Sequence, residues 1–575
     1  MSISLRDIIG RFTIPSGIVT TTTDSIEKVA MEIPEIGVIT TKSIGLHRKE
    51  GNREPILAQY DSKGTFQNAF GLANPGAEEF AKELKEIYPL PNGKFLLTSI
   101  FGSTAEELQD VAKIVSPYSD GLELNFSCPH AEKGYGATIG SSPELTKKFT
   151  KAVKDTVNIP VSVKLTPNVE DIGLIAKAAV EGGADAISAI NTIGPYESQI
   201  LSYEKGGISG SGVKEKGLQC IGRISEVLKV ERLDKKIPII AMGGISSAQD
   251  VLDYENAGAS FFGVGTVLAG MNAKTMKDYF ANLEGNYKLL KQGSKETNRK
   301  ILNFINPNLM KYESYKVIRI EQVTDDLRIF YLDHGIKAKP GQFVFARIHS
   351  PNGHEKPLSI ADDSPLTLAV RKIGPFTSKL FELKEGDTLD IRGPYGNTFD
   401  APHTDVVLVG GGTGLAPLHF MAKYMKRVGK NAKISVFMGA RNKSQLLFKK
   451  EFEKYCEVIV ATEDGSEGTK GFVTDALKNY LQSMLSKDKI SFCNCGPELM
   501  IEKVVKIEND SGNAGSILSS IERYMKCGVG LCGTCSIDGR RSCVDGPIFT
   551  FDDLSKSKHF GKFKRDVSGS LVSFK

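Results

Sequence analysis

The chain has 575 residues, 40% of them hydrophobic and 25% charged, with no tryptophan and a formal net charge of +5. One hydrophobic core does not serve that length, so about three or four domains are expected. The charge is too weak, and basic stripes with interleaved aromatics too absent, for a nucleic-acid-binding protein. No apolar run reaches bilayer-spanning length and residues 1–20 lack a basic flank before an apolar core, so a cytoplasmic protein is expected. The nine cysteines then suit ligands or reactive thiols better than disulfides.

From about residue 30 to 290, short β-rich runs alternate with amphipathic segments of helical spacing. The predicted strands are 37–40, 95–98, 122–125, 161–164, 186–190, 237–241 and 261–264. The predicted helices are 77–88, 104–115, 143–156, 169–181, 213–229 and 247–257. An α/β fold follows, with a (β/α)8 TIM barrel over 1–291 and a doubly wound sheet as the alternative. Residues 292–312, rich in Lys and Asn, read as a linker. Alternating strands with turns at Lys339-Pro-Gly341, Glu385-Gly-Asp387 and Gly393-Pro-Tyr-Gly396 predict a small antiparallel barrel over 313–402. An α/β nucleotide domain follows over 403–512, then a cysteine-rich domain over 513–550. In the basic tail 551–575, Lys556, Lys558, Lys562, Lys564 and Arg565 are expected to be solvated and partly disordered.

Cys527, Cys532, Cys535 and Cys543 are separated by four, two and seven residues. That run matches the plant-type ligands of a [2Fe–2S] cluster, whereas a structural zinc site usually pairs two short knuckles. Such a centre moves electrons singly. Upstream, Val406-Val-Leu-Val-Gly-Gly-Gly-Thr-Gly-Leu-Ala-Pro417 is a strand running into a glycine turn and a helix, where a pyrophosphate can approach the backbone. Gly439-Ala-Arg441, Glu463-Asp464 and Cys495-Gly-Pro497 follow the next strands.

With Lys356-Pro-Leu-Ser359 and the stretch from Val370 to Thr377, the order of parts over about 315–550 resembles the electron-transfer subunit of class 1B dihydroorotate dehydrogenases. The resemblance implies FAD held by Lys356, Pro357, Leu358, Ser359, Val370, Lys372, Gly374 and Thr377. It implies NAD held by Gly411, Gly412, Thr413, Gly414, Arg441, Asp464, Cys495 and Gly496, and a [2Fe–2S] cluster on the four cysteines. Three departures stand out: Lys356 replaces the usual arginine and loses its bidentate fork, Phe376 replaces a glycine of the phosphate loop, and the gap before Cys543 is short. Glu463 and Asp464 repel a 2′-phosphate while Arg441 attracts one, so NAD is favoured over NADP without being decided.

In the first half, Glu123-Leu-Asn-Phe-Ser-Cys-Pro-His130, followed by Gly134-Tyr-Gly136, sets a cysteine just after a barrel strand, at the end where such barrels carry their sites. Thr41-Lys-Ser43, Asn68-Ala-Phe-Gly-Leu72, Val163-Lys-Leu-Thr166, Ile190-Asn-Thr192, Gly206-Gly-Ile-Ser-Gly210, Met242-Gly-Gly-Ile245 and Gly263-Val-Gly-Thr266 sit at or just after strand ends too. Together they resemble the catalytic subunit of class 1 dihydroorotate dehydrogenases over about 1–290. By that resemblance Cys128 takes the C5 proton of dihydroorotate while the C6 hydride passes to FMN, and Lys42 is the second catalytic residue. Substrate would meet Lys42, Asn68, Gly71, Leu72, Asn125, His130, Asn191 and Thr192. FMN would meet Ser16, Gly17, Lys42, Ser43, Asn125, Lys164, Ile190, Gly210, Gly243, Gly244, Gly265 and Thr266. His130 stands where many members have asparagine, and the loop 193–205 looks short.

The two resemblances imply a fused, NAD-linked dihydroorotate dehydrogenase of pyrimidine biosynthesis, with electrons passing from FMN through [2Fe–2S] and FAD to NAD, in a homodimer. Two alternatives stay open. Ser-Cys-Pro-His also resembles the loop of dihydropyrimidine dehydrogenase, which would make the chain a reductase of another cyclic amide such as uracil, although Asn68-Ala-Phe70 lacks that relative's acid. An electron-carrier module whose barrel only docks a partner is the other, opposed by Lys42, Cys128 and Asn191.

Overall fold

The computed structural model describes residues 8, 10–127, 136–293, 306–349, 354–401, 405–429, 432–483, 489–512 and 514–574. They divide into two units. The first is Met1–Leu309 with Val529–Gly539 and Arg565–Val572; the second is Met310–Gly528 with Arg540–Lys564 and Ser573–Lys575.

Eight strands of the first unit close a parallel barrel in chain order: Phe12–Ile14, Ile36–Thr40, Phe95–Ile100, Gly121–Asn125, Val161–Lys164, Ala186–Ala189, Ile239–Met242 and Phe261–Gly263. Phe12 pairs with Phe262 to shut the ring. Seven of these strands lie where the sequence predicts strands. The first does not, because three buried residues are too short to show a period. Strands covered on both faces carry no polar alternation, and all eight are wholly buried. The helices begin on polar caps: Thr104 accepts from the Glu107 amide, Ser142 from Leu145 and Asp171 from Gly173.

Two of the barrel's connections are elaborated. Residues Leu57–Gln59 and Thr65–Asn68, after the second strand, pair antiparallel with Lys205–Gly210 and Ile193–Glu197, after the sixth. The loop expected to be short over 193–205 is thus part of a four-stranded sheet.

The second unit opens with a closed six-stranded antiparallel barrel made of Glu313–Thr324, Leu327–Leu332, Phe343–Ile348, Glu355–Asp363, Leu366–Arg371 and Thr388–Tyr395. Its core includes Val317, Phe330, Ile360, Leu368, Phe376 and Ile391. A seven-stranded sheet follows, with Asp405–Gly411 flanked in parallel by Lys433–Ala440 and Ile490–Cys495. Ala514–Ser520 extends it in parallel, and Ile548–Thr550 adds an antiparallel edge. Among the described residues no helix is long and apolar enough to cross a membrane.

Candidate active site and electron-transfer sites

At the C-terminal ends of the barrel strands, polar side chains are joined in one hydrogen-bonded chain. Ser99 Oγ lies 2.9 Å from Ser43 Oγ, and Asn125 Nδ2 donates to Ser43 Oγ at 2.8 Å. Asn125 Oδ1 accepts from the Ser127 amide and hydroxyl at 3.2 and 2.8 Å. Asn191 Nδ2 donates to Ser127 Oγ at 2.9 Å, and Asn191 Oδ1 accepts from the Thr192 amide at 2.8 Å. Each amide is therefore held in one orientation, as a site that reads donors and acceptors requires. The structure brings together Ser43, Asn125, Asn191 and Thr192 of the expected set and adds Ser99 and Ser127, which carried no signal beyond being serines near strand ends.

Lys164 Nζ donates to Ser16 Oγ at 3.0 Å and stands 3.9 Å from Glu123 Oε1, both side chains buried. Glu123, in the middle of the fourth strand, was not anticipated. Asn68 lies on the added sheet, where its amide donates to the Gly207 carbonyl at 3.3 Å and to Ser209 Oγ at 3.4 Å. Gly71 and Leu72 both take positive φ in the loop beyond it. Cys128 and His130 lie outside the described residues.

Late in the barrel, glycines crowd one another. A Cβ on Gly244 would fall 2.9 Å from the Gly210 carbonyl, and one on Gly210 would fall 2.1 Å from the Gly64 carbonyl and 3.2 Å from Thr266. Gly210, Gly243 and Gly244 all have φ between +75° and +122°. Gly243 faces Ile190, and Gly265 faces Ile18 and Pro15. Backbone brought so close without side chains is the cradle that a flavin phosphate needs. With Ser16, Gly17 and Lys164 at neighbouring strand ends, the residues present fit FMN.

Lys42, two residues beyond the second strand and 8% exposed, donates to the Ser568 carbonyl at 3.1 Å. The tail is therefore not wholly solvated. Lys556, Lys558, Lys562 and Lys564 are exposed as expected, but Arg565 is 2% exposed and paired with Asp24 at 2.7 Å and Glu83 at 2.9 Å. Two acidic partners offset the cost of burying one guanidinium, which tail composition could not foretell.

The first unit also holds part of the cysteine run. The Val19 amide donates to the Leu531 carbonyl at 2.7 Å, Thr21 Oγ1 to the Cys532 carbonyl at 3.0 Å, and the Gly270 amide to the Val529 carbonyl at 2.8 Å. Asp24 Oδ2 accepts from Ser536 Oγ at 2.6 Å and the Gly539 amide at 2.7 Å. In the second unit, Arg392, fully buried against Glu355, donates to the Cys527 carbonyl at 3.2 Å. All four cysteines are buried. Among the described residues no three His, Cys, Asp or Glu stand as ligands of one metal ion do. A two-iron cluster asks instead for two thiolates on each iron.

On the small barrel, Lys356 Nζ lies 3.2 Å from Tyr524 Oη and 4.7 Å above its ring. Pro357, Leu358 and Ser359 continue its strand, opposite Phe345, Val344 and Phe343. Val370 and Phe376 are buried in the barrel core, so the phenyl ring at the unusual position is a core side chain. Thr377 Oγ1 accepts from the Ile373 and Gly374 amides at 2.9 and 3.0 Å and fixes that loop, while Lys372 is exposed.

In the α/β sheet, Gly411, Gly412, Thr413 and Gly414 turn the central strand into the helix Leu415–Arg427. A Cβ on Gly414 would lie 2.3 Å from the Cys495 carbonyl and 2.7 Å from the Gly496 amide. The two expected loops thus meet. The Asp464 amide donates to the Arg441 carbonyl at 3.2 Å, joining the other two. Ser466 holds the exposed Asp464 carboxyl below its ordinary range. Burial pushes the Cys495 thiol up to about 12.

Three family models match parts of the chain, in order: dihydroorotate dehydrogenase over residues 3–286, an oxidoreductase NAD-binding domain over 408–506, and the iron-sulfur cluster binding domain of dihydroorotate dehydrogenase B over 522–555. Two Methanocaldococcus jannaschii proteins match different halves. One, named as a dihydroorotate dehydrogenase B (NAD(+)) electron transfer subunit, is 38% identical over 264 residues, which is 45% of this chain and 98% of its own. The other, named as the catalytic subunit, is 40% identical over 259 residues, 44% of this chain and 81% of its own. The chain belongs to the dihydroorotate dehydrogenase B family. It is an oxidoreductase that carries both subunit types of that family in one polypeptide. A Pyrococcus abyssi protein named as the electron transfer subunit is 41% identical over 258 residues, 44% of this chain and 96% of its own.

Proposed function

We propose that the chain oxidises dihydroorotate to orotate at the first barrel and delivers the electrons to NAD+ at the α/β sheet, as a step of pyrimidine biosynthesis. FMN held by the first barrel would supply a two-electron acceptor, a [2Fe–2S] cluster on Cys527, Cys532, Cys535 and Cys543 would supply one-electron transfer, and FAD held by the small barrel would supply the hydride donor for NAD+. The observation that most supports this reading is the bond between Thr21 and Cys532. It ties a cluster ligand to the loop after the first barrel strand, the loop that carries Ser16 and Gly17.

The chain's own residues then have distinct tasks. Asn125 and Asn191, oriented by Ser43, Ser127 and the Thr192 amide, hold the pyrimidine ring by its donors and acceptors. Lys42 balances the substrate carboxylate and would offset the negative charge that a flavin gains with the hydride. Cys128 takes the C5 proton as its thiolate, a task suited to a group whose ordinary pKa of about 8.5 lies near working pH. Gly210, Gly243, Gly244, Gly265 and Thr266 hold the FMN phosphate. Lys356 to Ser359, Val370, Lys372, Gly374 and Thr377 hold FAD, with Lys356 giving charge without a fork. Gly411 to Gly414, Arg441, Asp464, Cys495 and Gly496 hold NAD, and Cys527, Cys532, Cys535 and Cys543 hold the cluster. Two such chains form a dimer, closed symmetry being the commonest arrangement.

The test is to assay the purified holoprotein with dihydroorotate and NAD+, and separately with uracil and NADH. Orotate and NADH formed in equal amounts support the reading. Uracil reduction without dihydroorotate oxidation would replace it with a cyclic-amide reductase.

A further inference from the structure

The end of the chain reaches the residue that faces the substrate. Phe563–Arg565 and Leu571–Ser573 form a two-stranded hairpin, and the segment Arg565–Val572, which contains its turn, belongs to the first unit. The turn is fixed at both of its sides. Arg565 is locked by Asp24 and Glu83 and donates to the Gly569 carbonyl at 2.9 Å. Asp566 accepts from the Ser568 amide and hydroxyl at 2.9 and 2.7 Å, from the Ser570 amide at 3.1 Å, and from Arg48 at 2.9 Å. Ser568 is 0% exposed.

This fixed turn presents the Ser568 carbonyl to Lys42 Nζ at 3.1 Å. Gly569 has φ +93°, and a Cβ on it would stand 3.1 Å from the same nitrogen. A lysine on a four-carbon stem has many rotamers, and one held before substrate arrives loses less freedom on binding. The contact is made by backbone atoms in a turn whose own polar groups are satisfied internally, so the turn is preorganised.

We propose that the C-terminal turn Arg565–Val572 is a positioning element of the dihydroorotate site, setting the Lys42 ammonium through the Ser568 carbonyl and the open face of Gly569. This rests on the reading of Lys42 as a substrate-facing residue. It makes the last residues of the chain, beyond the cluster ligands, part of the machinery of the N-terminal barrel.

The experiment compares full-length holo wild type with Gly569→Ala. Orotate is titrated against the flavin absorbance, dihydroorotate turnover is measured, and NADH-driven dye reduction and Tm serve as controls. The added methyl displaces Lys42, so the orotate Kd and the dihydroorotate KM each rise about tenfold, while dye reduction stays at the wild-type value and Tm falls only by what an alanine at φ +93° costs. Unchanged orotate and dihydroorotate constants overturn the proposal, whether or not Tm falls. If Gly569→Ala does not fold, Ser568→Gly removes the hydroxyl bonds to Asp566 and Ser570 without adding atoms. A rise of about threefold in the orotate Kd then supports the proposal, and no rise overturns it. Wild type that neither binds orotate nor oxidises dihydroorotate sinks the parent reading. Wild type that does both, beside an unchanged variant, sinks this one alone.

Discussion

Thr21 donates its hydroxyl to the carbonyl of Cys532 at 3.0 Å, across 511 residues of chain. The bond leaves no room for a larger residue next to it, since a Cβ on Gly533 would lie 1.8 Å from Thr21 Oγ1. Gly533 also has φ +71°, which a side chain resists. Gly533→Ala is expected to destabilise the docked segment by about 1–3 kcal/mol. In stopped-flow work it should slow NADH formation while dihydroorotate still reduces the FMN at the wild-type rate.

Cys128→Ala removes the proposed base. A positioned general base is worth about 10²–10⁴-fold, so dihydroorotate oxidation should fall by that order. NADH-driven dye reduction, which uses the second unit, should be spared. Equal loss of both activities would contradict the separation of sites.

Arg565 is buried between Asp24 and Glu83, and Arg565→Ala leaves two carboxylates facing each other. Removing one partner of a buried ion pair costs about 3–5 kcal/mol, and here the side chains are 2% and 12% exposed on the two sides. A clear drop in Tm is expected, together with weakened dihydroorotate turnover. Arg565→Lys should recover part of the stability, and chemical unfolding of the three proteins would measure both effects.

Burial raises the Cys495 thiol from its ordinary range to about 12. Near neutral pH the Cys495 side chain is therefore a neutral S–H. In the unfolded chain the same group titrates near about 8.5, so above that pH the unfolded state loses a proton that the folded state keeps. The contribution to stability is full below the unfolded value and declines as pH rises toward the folded one. Iodoacetamide labelling of Cys495, read by mass spectrometry, should stay low from about pH 7 to 9 in the folded protein and rise only on unfolding.

The barrel was legible because eight parallel strands buried on both faces leave short apolar runs between amphipathic helices. The strand Phe12–Ile14 escaped because three residues carry no period. The added sheet escaped because Lys205–Gly210 is half glycine, which reads as loop. Of the residues that the resemblance implies for the site, Asn125, Asn191, Ser43 and Thr192 are joined in one hydrogen-bonded chain with Ser127. Ser99, Ser127 and Glu123 were missed, because a polar residue within an apolar strand gives no sign of which neighbour it will meet. The tail shows the same limit. Arg565 and Lys564 look alike in sequence, and only the distant Asp24 and Glu83 decide that one is buried and the other exposed.

The central claim, that electrons cross from the dihydroorotate site to the NAD site through the cysteine run, is tested most directly with Cys532→Ser. The variant and wild type are mixed anaerobically with dihydroorotate, then with NAD+, while flavin absorbance, orotate and NADH are followed. The expected result is orotate formation and FMN reduction at the wild-type rate with no NADH. NADH formed by the variant at the wild-type rate would contradict the account.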